Sequence, residues 1–383
     1  MFSYQMGTRI EFGIGRIGLL TAILRETGFG RRILLVTDPG VEQAGLVAPV
    51  IEALQTSGYE VAVFNQVAPN PRDIDCEAGA EAFRNFAADS VIAIGGGSAM
   101  DTAKSIALLS QTGGKVAEYV DGLKVYERVA PLACIPTTAG TGSEVTRSAV
   151  ITESATHRKM TLKHALLRPV LALLDPALTL SVPPSVTSAT GVDALVHAIE
   201  GYTCKRSSPI TQAFGAAAMK VIVPALPQVM ENPGDVQARS DMLQGSLLAG
   251  LCFGASDVAA VHCLAEALGG LYDTPHGLAN AVFLPHVLRF NVTGHEEIHA
   301  ELSRIMGFAT ADTKAAEAAD NLVRSITKWV KSLGIPNLRE LPKVRTEDFD
   351  ELVELAYANG STPSNVREVS REDYREILMQ AYA

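Results

Sequence analysis

Val91-Ile92-Ala93-Ile94-Gly95-Gly96-Gly97-Ser98-Ala99-Met100-Asp101-Thr102-Ala103-Lys104 is the stretch that decides how this chain folds. Val91–Ile94 is a short, β-branched apolar run, as a strand buried on both faces requires. Gly95, Gly96, Gly97 and Ser98 follow at once, and a helix is expected to open with Ala99-Met100-Asp101. Three glycines let backbone approach an anion closely, and a helix N-terminus offers unpaired N–H groups and partial positive charge. Strand, glycine turn and helix together read as a pyrophosphate cradle. The spacing is not the GxGxxG of the common dinucleotide fingerprint, and a plain strand-to-helix turn is the alternative reading.

The same texture extends to either side. Arg32–Val36, Val61–Phe64, Leu132–Ile135 and Val170–Leu174 are apolar runs separated by helical patterns, which predicts βαβ units and a mostly parallel sheet. The opening segment, Tyr4 to Ile17, predicts a hairpin ahead of that sheet. At Ser181-Val182-Pro183-Pro184 the pattern changes, because adjacent prolines stop regular structure. Beyond them helices are predicted over Thr187–Tyr202, Ile210–Met230, Val236–Leu251, Ala255–Leu268, Thr313–Leu333 and Glu347–Ala358. The expected organisation is therefore an α/β dinucleotide-binding domain over 1–181 and an all-helical domain over 182–383.

Composition agrees with a large buried core. The chain has 383 residues, above the ~250–300 at which single cores stop growing. It is 47% hydrophobic and 19% charged, the opposite of a disordered balance. A net charge of −10 argues against a nucleic-acid partner, which needs clustered Lys and Arg. The five cysteines, Cys76, Cys134, Cys204, Cys252 and Cys263, form no CxxC, so reduced and mostly buried thiols are expected. The first residues lack the plan of a signal peptide, and no run of about 18 uninterrupted apolar residues predicts a membrane span. A soluble, cytoplasmic protein is the expectation.

Two more polar features lie at strand ends. Pro136-Thr137-Thr138-Ala139-Gly140-Thr141-Gly142-Ser143-Glu144 places four hydroxyls and two glycines after the Leu132–Ile135 strand, where ligands bind in open α/β sheets. A structural loop held by its own hydroxyls is the alternative. Asp38 follows the Arg32–Val36 strand, where a carboxylate can accept hydrogen bonds from ribose hydroxyls and repel a 2′-phosphate. That favours NAD over NADP, while Asp38-Pro39-Gly40 also suits a simple turn.

The helical half carries a metal-type donor set. Asp193 and His197 are four apart and share a helix face, where a plain Asp–His hydrogen bond is the alternative to a metal. His262 falls in the apolar run VAAVHCLAEALGG, and His276 is expected in the loop that leaves it. One carboxylate and three imidazoles suit Fe²⁺, Zn²⁺, Co²⁺ or Ni²⁺.

The strings GGGSAMDTAK, PTTAGTGSEVT, DPALTLSVPP, ATGVDALVHAIEGY and LYDTPHGLANAVFLPH resemble the signature blocks of the iron-containing (group III) alcohol dehydrogenases, in that family's order, from about residue 5 to 380. The resemblance implies a dinucleotide-binding α/β domain followed by an all-helical metal domain, with catalysis in the cleft between them. It implies Asp193, His197, His262 and His276 as iron ligands, with zinc as the other candidate metal. Gly95, Gly96, Gly97, Ser98 and Asp101 fall on the pyrophosphate loop, and Thr137, Thr138, Thr141 and Ser143 on the hydroxyl-rich cofactor loop. Asp38, Asn70 and Lys159 align with residues that flank the nucleotide.

The implied activity is hydride transfer between NAD(H) and a small alcohol or aldehyde, in a homodimer or larger assembly. Relatives on the same scaffold remain alternatives: a glycerol-type zinc dehydrogenase, a maleylacetate-type reductase or a dehydroquinate-synthase-like lyase. The lyase needs Lys and Arg near the metal, and segments 187–202 and 255–286 contain neither. One departure stands out. Many members carry a histidine four residues after the ligand that matches His262, and this chain has Glu266, a candidate for the proton path or for a simple hydrogen bond to a neighbour.

Overall fold

The computed structural model describes residues 2–383 and divides into two compact units. One comprises Gln5–Thr138 and Gly142–Val182. The other comprises residues 2–4, Ala139–Thr141 and Pro183–Ala383.

The α/β unit runs β1 (Arg9–Phe12), α1 (Leu20–Glu26), β2 (Arg32–Val36), α2 (Pro39–Gln43), α3 (Ala48–Thr56), β3 (Glu60–Phe64), α4 (Asp73–Phe86), β4 (Ser90–Gly95), α5 (Gly97–Thr112), α6 (Val116–Val120), β5 (Leu132–Pro136), β6 (Ser148–Thr152), β7 (Lys159–Lys163) and β8 (Leu171–Leu174). Six strands form one parallel sheet in the order β1-β8-β5-β4-β2-β3. Alternate residues serve its two faces, as a period of two dictates. Ile33, Leu35, Ile92, Ile94, Ala133 and Ile135 pack with Leu20, Leu24 and Leu54 of α1 and α3. Leu34, Val36, Val91, Ala93, Leu132 and Cys134 pack with Phe83 of α4 and Met100, Ala103 and Ile106 of α5. A strand covered on both sides must be apolar throughout, which is why these runs were legible.

The expected hairpin over Tyr4–Ile17 is not formed. Only Arg9–Phe12 is extended, and it pairs in parallel with β8 at the sheet's edge, Arg9 opposite Leu171. Asp175, at the end of β8, fixes the following turn: its carboxylate accepts from Gly15 N at 3.1 Å and Ile17 N at 3.0 Å. The hairpin in this unit is β6–β7, antiparallel from Ser148↔Lys163 to Thr152↔Lys159.

The helical unit contains α7 (Pro184–Thr203), α8 (Pro209–Glu231), α9 (Val236–Phe253), α10 (Ala260–Tyr272), α11 (His276–Val292), α12 (Glu296–Ile305), α13 (Ala315–Ser332), α14 (Phe349–Ala358) and α15 (Arg371–Tyr382). Their starts carry expected signals. Pro184 and Pro209 open α7 and α8, Ser208 and Thr211 form a capping box, and Asp235 accepts from Gln237 N and Ala238 N. α7 is buried from Thr187 to Thr203 except at Thr190, so its polar residues must find partners inside. α8 is long and apolar enough to cross a membrane by length and composition; here it lends Ala218, Met219, Ile222 and Leu226 to the core. The helix expected over Ala255–Leu268 begins five residues later, at Ala260, for a reason given below. α11, α12 and α15 were not anticipated. All five cysteines are buried and free.

Candidate metal centre and nucleotide cradle

In the helical unit, α7 contributes Asp193 and His197, α10 contributes His262, and α11 contributes His276. The last is not in a loop, as the sequence suggested, but is the first residue of α11 after Pro275. One ligand-type atom from each of the four lies within 4.8 Å of all the others. Asp193 Oδ1 is 3.8 Å from His262 Nε2, 3.8 Å from His276 Nε2 and 3.9 Å from His197 Nδ1. The two Nε2 atoms of His197 and His262 are 3.0 Å apart. Phe253 stacks on the His197 ring at 4.0 Å. Asp193, His197 and His262 are buried, and His276 is half-buried.

Electrostatics describes a site in need of a cation. Burial pushes the Asp193 carboxyl up to about 7, against the pull of His262 and a hydrogen bond from Asn280. Burial, with His262 and His276 alongside, pushes His197 well below its ordinary value. For His262 burial acts downward, but Glu200, by charge and hydrogen bond, together with the charges of Asp193 and Glu266 raises the ring above its ordinary value. Asp193 Oδ2 is buried without a hydrogen-bond partner. An orphaned carboxylate oxygen at a carboxylate–imidazole cluster fits a divalent metal, which restores what burial removes.

Two residues missed at the sequence level complete the surroundings. Glu200, one turn beyond His197, accepts from His262 Nδ1 at 2.6 Å. Asn280 is fully buried, donates from Nδ2 to Asp193 Oδ1 at 2.6 Å, and lies 3.1 Å from His276 Nε2. Helical spacing from His197 and His276 was the available signal for both. Glu266 sits one turn past His262 on α10; its Oε2 accepts from Asn359 Nδ2 at 2.7 Å, and its charge acts on His262.

In the α/β unit, β2, β4 and β5 lie side by side and deliver their C-terminal ends together. Asp38 follows β2, Gly95–Gly97 close β4, and Thr137 and Thr138 follow β5. β2 leads outward to β3 while β4 lies on its other flank, so this is the point where strand order reverses. The helix opens two residues earlier than expected: Gly97 is the first residue of α5, and its cap, Gly96, has no side chain to occupy the free amides. Gly95 has φ 155°, and a Cβ there would lie 2.7 Å from Ala99 Cβ. A Cβ on Gly96 would lie 3.3 Å from Thr138 Oγ1, which is buried and without a partner. Bare amides and an orphaned hydroxyl around a surface that only glycine leaves open fit a phosphate-bearing cofactor.

Other expected cofactor residues have internal duties. Asp38 Oδ1 caps α2, accepting from Gly40 N at 2.9 Å and Val41 N at 3.0 Å. Ser98 Oγ donates to Pro69 O, and Lys159 Nζ donates to Asn70 Oδ1 at 3.2 Å and Thr152 Oγ1 at 2.8 Å. Thr137 N donates to Gly95 O at 3.0 Å. Thr141 belongs to the three-residue piece of loop grouped with the helical unit.

Asp101 and Ser143 depart furthest from a direct cofactor contact. Asp101 accepts from Ser143 Oγ at 2.6 Å and Val150 N at 2.9 Å. Lys104, fully buried, donates to Ser143 Oγ at 2.7 Å, Thr146 Oγ1 at 3.1 Å and Ser148 O at 2.7 Å, with Asp101 3.8 Å away. Burial lowers the Lys104 ammonium and raises the Asp101 carboxyl, and each partly restores the other. This network ties α5 to the 143–150 segment from beneath.

Residues 7–176 match the family described as iron-containing alcohol dehydrogenase, and residues 187–382 match the C-terminal part of the Fe-containing alcohol dehydrogenase family. The 1,3-propanediol dehydrogenase of Klebsiella pneumoniae is 36% identical over 385 residues, spanning 100% of this chain and 99% of that one. The NAD-dependent methanol dehydrogenase of Bacillus methanolicus is 35% identical over 369 residues, spanning 96% and 97%. A solved 1,3-propanediol oxidoreductase superposes with a TM-score of 0.95 at 36% identity, over 100% of both chains. The alcohol dehydrogenase from Oenococcus oeni does so with 0.95 at 34%, again over 100% of both. With its two-unit fold and its Asp–His₃ cluster, the chain belongs to the iron-containing alcohol dehydrogenase family, oxidoreductases that act on CH–OH groups.

Proposed function

We propose that the protein transfers a hydride between NAD(H) and a small alcohol or aldehyde, with Fe²⁺ as its metal and Zn²⁺ able to replace it. The observation that carries this reading is the convergence of Asp193, His197, His262 and His276 within 4.8 Å, with Asp193 Oδ2 buried and unpartnered among them. Those four would hold the metal, and Gly95, Gly96, Gly97, Ser98, Thr137, Thr138 and Thr141 would cradle the cofactor. When bound, the two groups supply Lewis acidity toward the substrate oxygen and a hydride site at the nicotinamide ring. Asp101 and Ser143 act from beneath, holding the cradle's walls together through Lys104. Asn70 and Lys159 brace each other beside Ser98. The division of labour follows the proposed domains, 1–181 for cofactor and 182–383 for metal. Cytoplasmic residence and a homodimer or larger assembly complete the reading, supported by the resemblance alone.

The substrate class follows from charge. Segments 187–202 and 255–286 carry no Lys or Arg, so nothing in them would neutralise a carboxylate, sulfonate or phosphate on the substrate. Small neutral alcohols and aldehydes fit, in keeping with relatives named for methanol, 1,3-propanediol and lactaldehyde. Glu266 would hold or move the proton that accompanies hydride transfer. The test reloads metal-stripped protein anaerobically with Fe²⁺ or Zn²⁺ and follows NADH absorbance against alcohols and aldehydes, with Glu266→Gln alongside. Turnover is expected only with metal and to vanish with chelator. Glu266→Gln is expected to lower kcat by about 10²-fold and to change its pH profile. NADH binding without turnover under either metal overturns the reading, and an unaltered Glu266→Gln profile removes the proton role.

Asp38 supports NAD over NADP. Only its Oδ1 is used by the α2 cap, and its Oδ2 lies 3.2 Å from where a Gly95 Cβ would be, beside the cradle. Like charges brought together cost several kcal/mol, so a 2′-phosphate would be rejected there. Asp38→Gly is expected to lower the KM for NADPH by about tenfold or more. A parent enzyme that already uses NADPH with the same KM as NADH would dispose of this role.

A further inference from the structure

We infer that Glu200 is a positioning residue for the metal centre: one buried carboxylate sets the tautomer of His262 and the start of the helix that carries it. This rests on the metal reading above.

Glu200 lies on α7, three residues beyond His197 and seven beyond Asp193, so one helix face presents two ligands and this carboxylate. It is 2% exposed. Three N–H groups converge on it, all from the α10 end of the unit. Oε2 accepts from Ala259 N at 2.8 Å and from His262 Nδ1 at 2.6 Å, and Oε1 accepts from Val261 N at 2.7 Å. α10 has no side-chain cap of its own, because its N-cap is Ala259. Glu200 supplies that cap from another helix, where the helix's positive end favours a carboxylate. This explains why the helix begins at Ala260 although the apolar pattern starts at Ala255.

The same contact decides the chemistry of His262. A carboxylate can only accept, so the proton of the neutral imidazole resides on Nδ1 and the lone pair on Nε2. Nε2 is the atom 3.0 Å from His197 Nε2 and 3.8 Å from Asp193 Oδ1, inside the cluster. A ring of the other tautomer would offer a proton there instead of a lone pair. Glu200 also completes a charge balance, since two buried carboxylates, Asp193 and Glu200, match a dication. Outer-shell partners of this kind change metal affinity by about 10–100-fold.

The experiment measures Zn²⁺ affinity of the full-length protein by competition with a chromogenic chelator, on the parent, Glu200→Gln, Glu200→Asp and Ser256→Ala. Ser256 Oγ donates to Gly201 O at 3.1 Å and Cys252 O at 2.9 Å, so its loss loosens the same region without touching a ligand. Glu200→Gln is expected to weaken Zn²⁺ binding by about 10–100-fold, with Glu200→Asp between it and the parent and Ser256→Ala at the parent value. Zn²⁺ bound as tightly by Glu200→Gln as by the parent overturns the inference. So does an equal loss in Ser256→Ala, which would mark a merely structural role. If Glu200→Gln does not fold, Glu200→Asp decides: parent-like affinity overturns the inference, and several-fold weaker binding upholds it. A parent that binds no Zn²⁺ overturns the metal reading itself, and this inference with it.

Discussion

Replacing His262 with alanine is expected to abolish turnover while leaving NADH binding intact. The change removes one of the four proposed ligands and also strips Glu200 of the imidazole 2.6 Å away. Outer-shell changes alone cost about 10–100-fold at metal sites, so loss of a ligand should exceed that and reach about 10³-fold or more. The glycine cradle lies in the other unit and keeps every residue it had. NADH fluorescence titration should therefore return the parent affinity, while the metal content after dialysis falls. Full activity in His262→Ala would sink the assignment of the Asp–His₃ cluster as the reaction centre.

Lys104→Met should produce the largest loss of stability. Methionine keeps most of the volume, so the change isolates the ammonium and its three hydrogen bonds to Ser143, Thr146 and Ser148. Asp101 is left buried without its cation 3.8 Å away. Breaking a buried charge pair from one side costs about 3–5 kcal/mol. At about 2–4 °C per kcal/mol for a unit of this size, the α/β transition should fall by on the order of 10 °C. Adding Asp101→Asn should recover part of the loss, because the second change removes the stranded charge. A Lys104→Met protein that melts with the parent would show that the network contributes nothing to holding α5.

The parts that were legible in the sequence are those whose neighbours repeat a simple rule. β2, β4, β5 and β8 are covered on both faces, and such strands announce themselves as unbroken apolar runs. Asp193 and His197 were legible because helical spacing alone puts them on one face. What escaped depended on distant partners. The segment Tyr4–Ile17 reads as a hairpin, while the partner of its strand, β1, is the distant β8. β6 is apolar only over Ala149–Ile151 and β7 alternates polar and apolar residues over five positions, weak signals beside the runs of the main sheet. Asp101 and Ser143 were legible as polar residues at the right strand ends, yet nothing local shows that Lys104 turns them inward. Helical spacing put Glu200 near His197, but its role was hidden for the same reason: its three donors come from residues 259 to 262, some sixty positions away.

The pairing of Arg9–Phe12 with Leu171–Leu174 has a consequence for how the chain is made. β1 is the first strand of this sheet to be synthesised, yet its neighbour in the sheet, β8, is the last. β2, β3, β4 and β5 can all find partners once β5 has been synthesised, since they adjoin one another. β1 must wait through roughly 160 more residues, and closing so long a loop is the slow kind of event in folding. Until then its N–H and C=O groups face water or a wrong partner, as an unpaired edge does. The N-terminal strand is thus the first part of the sheet to be born and the last that can be locked in place.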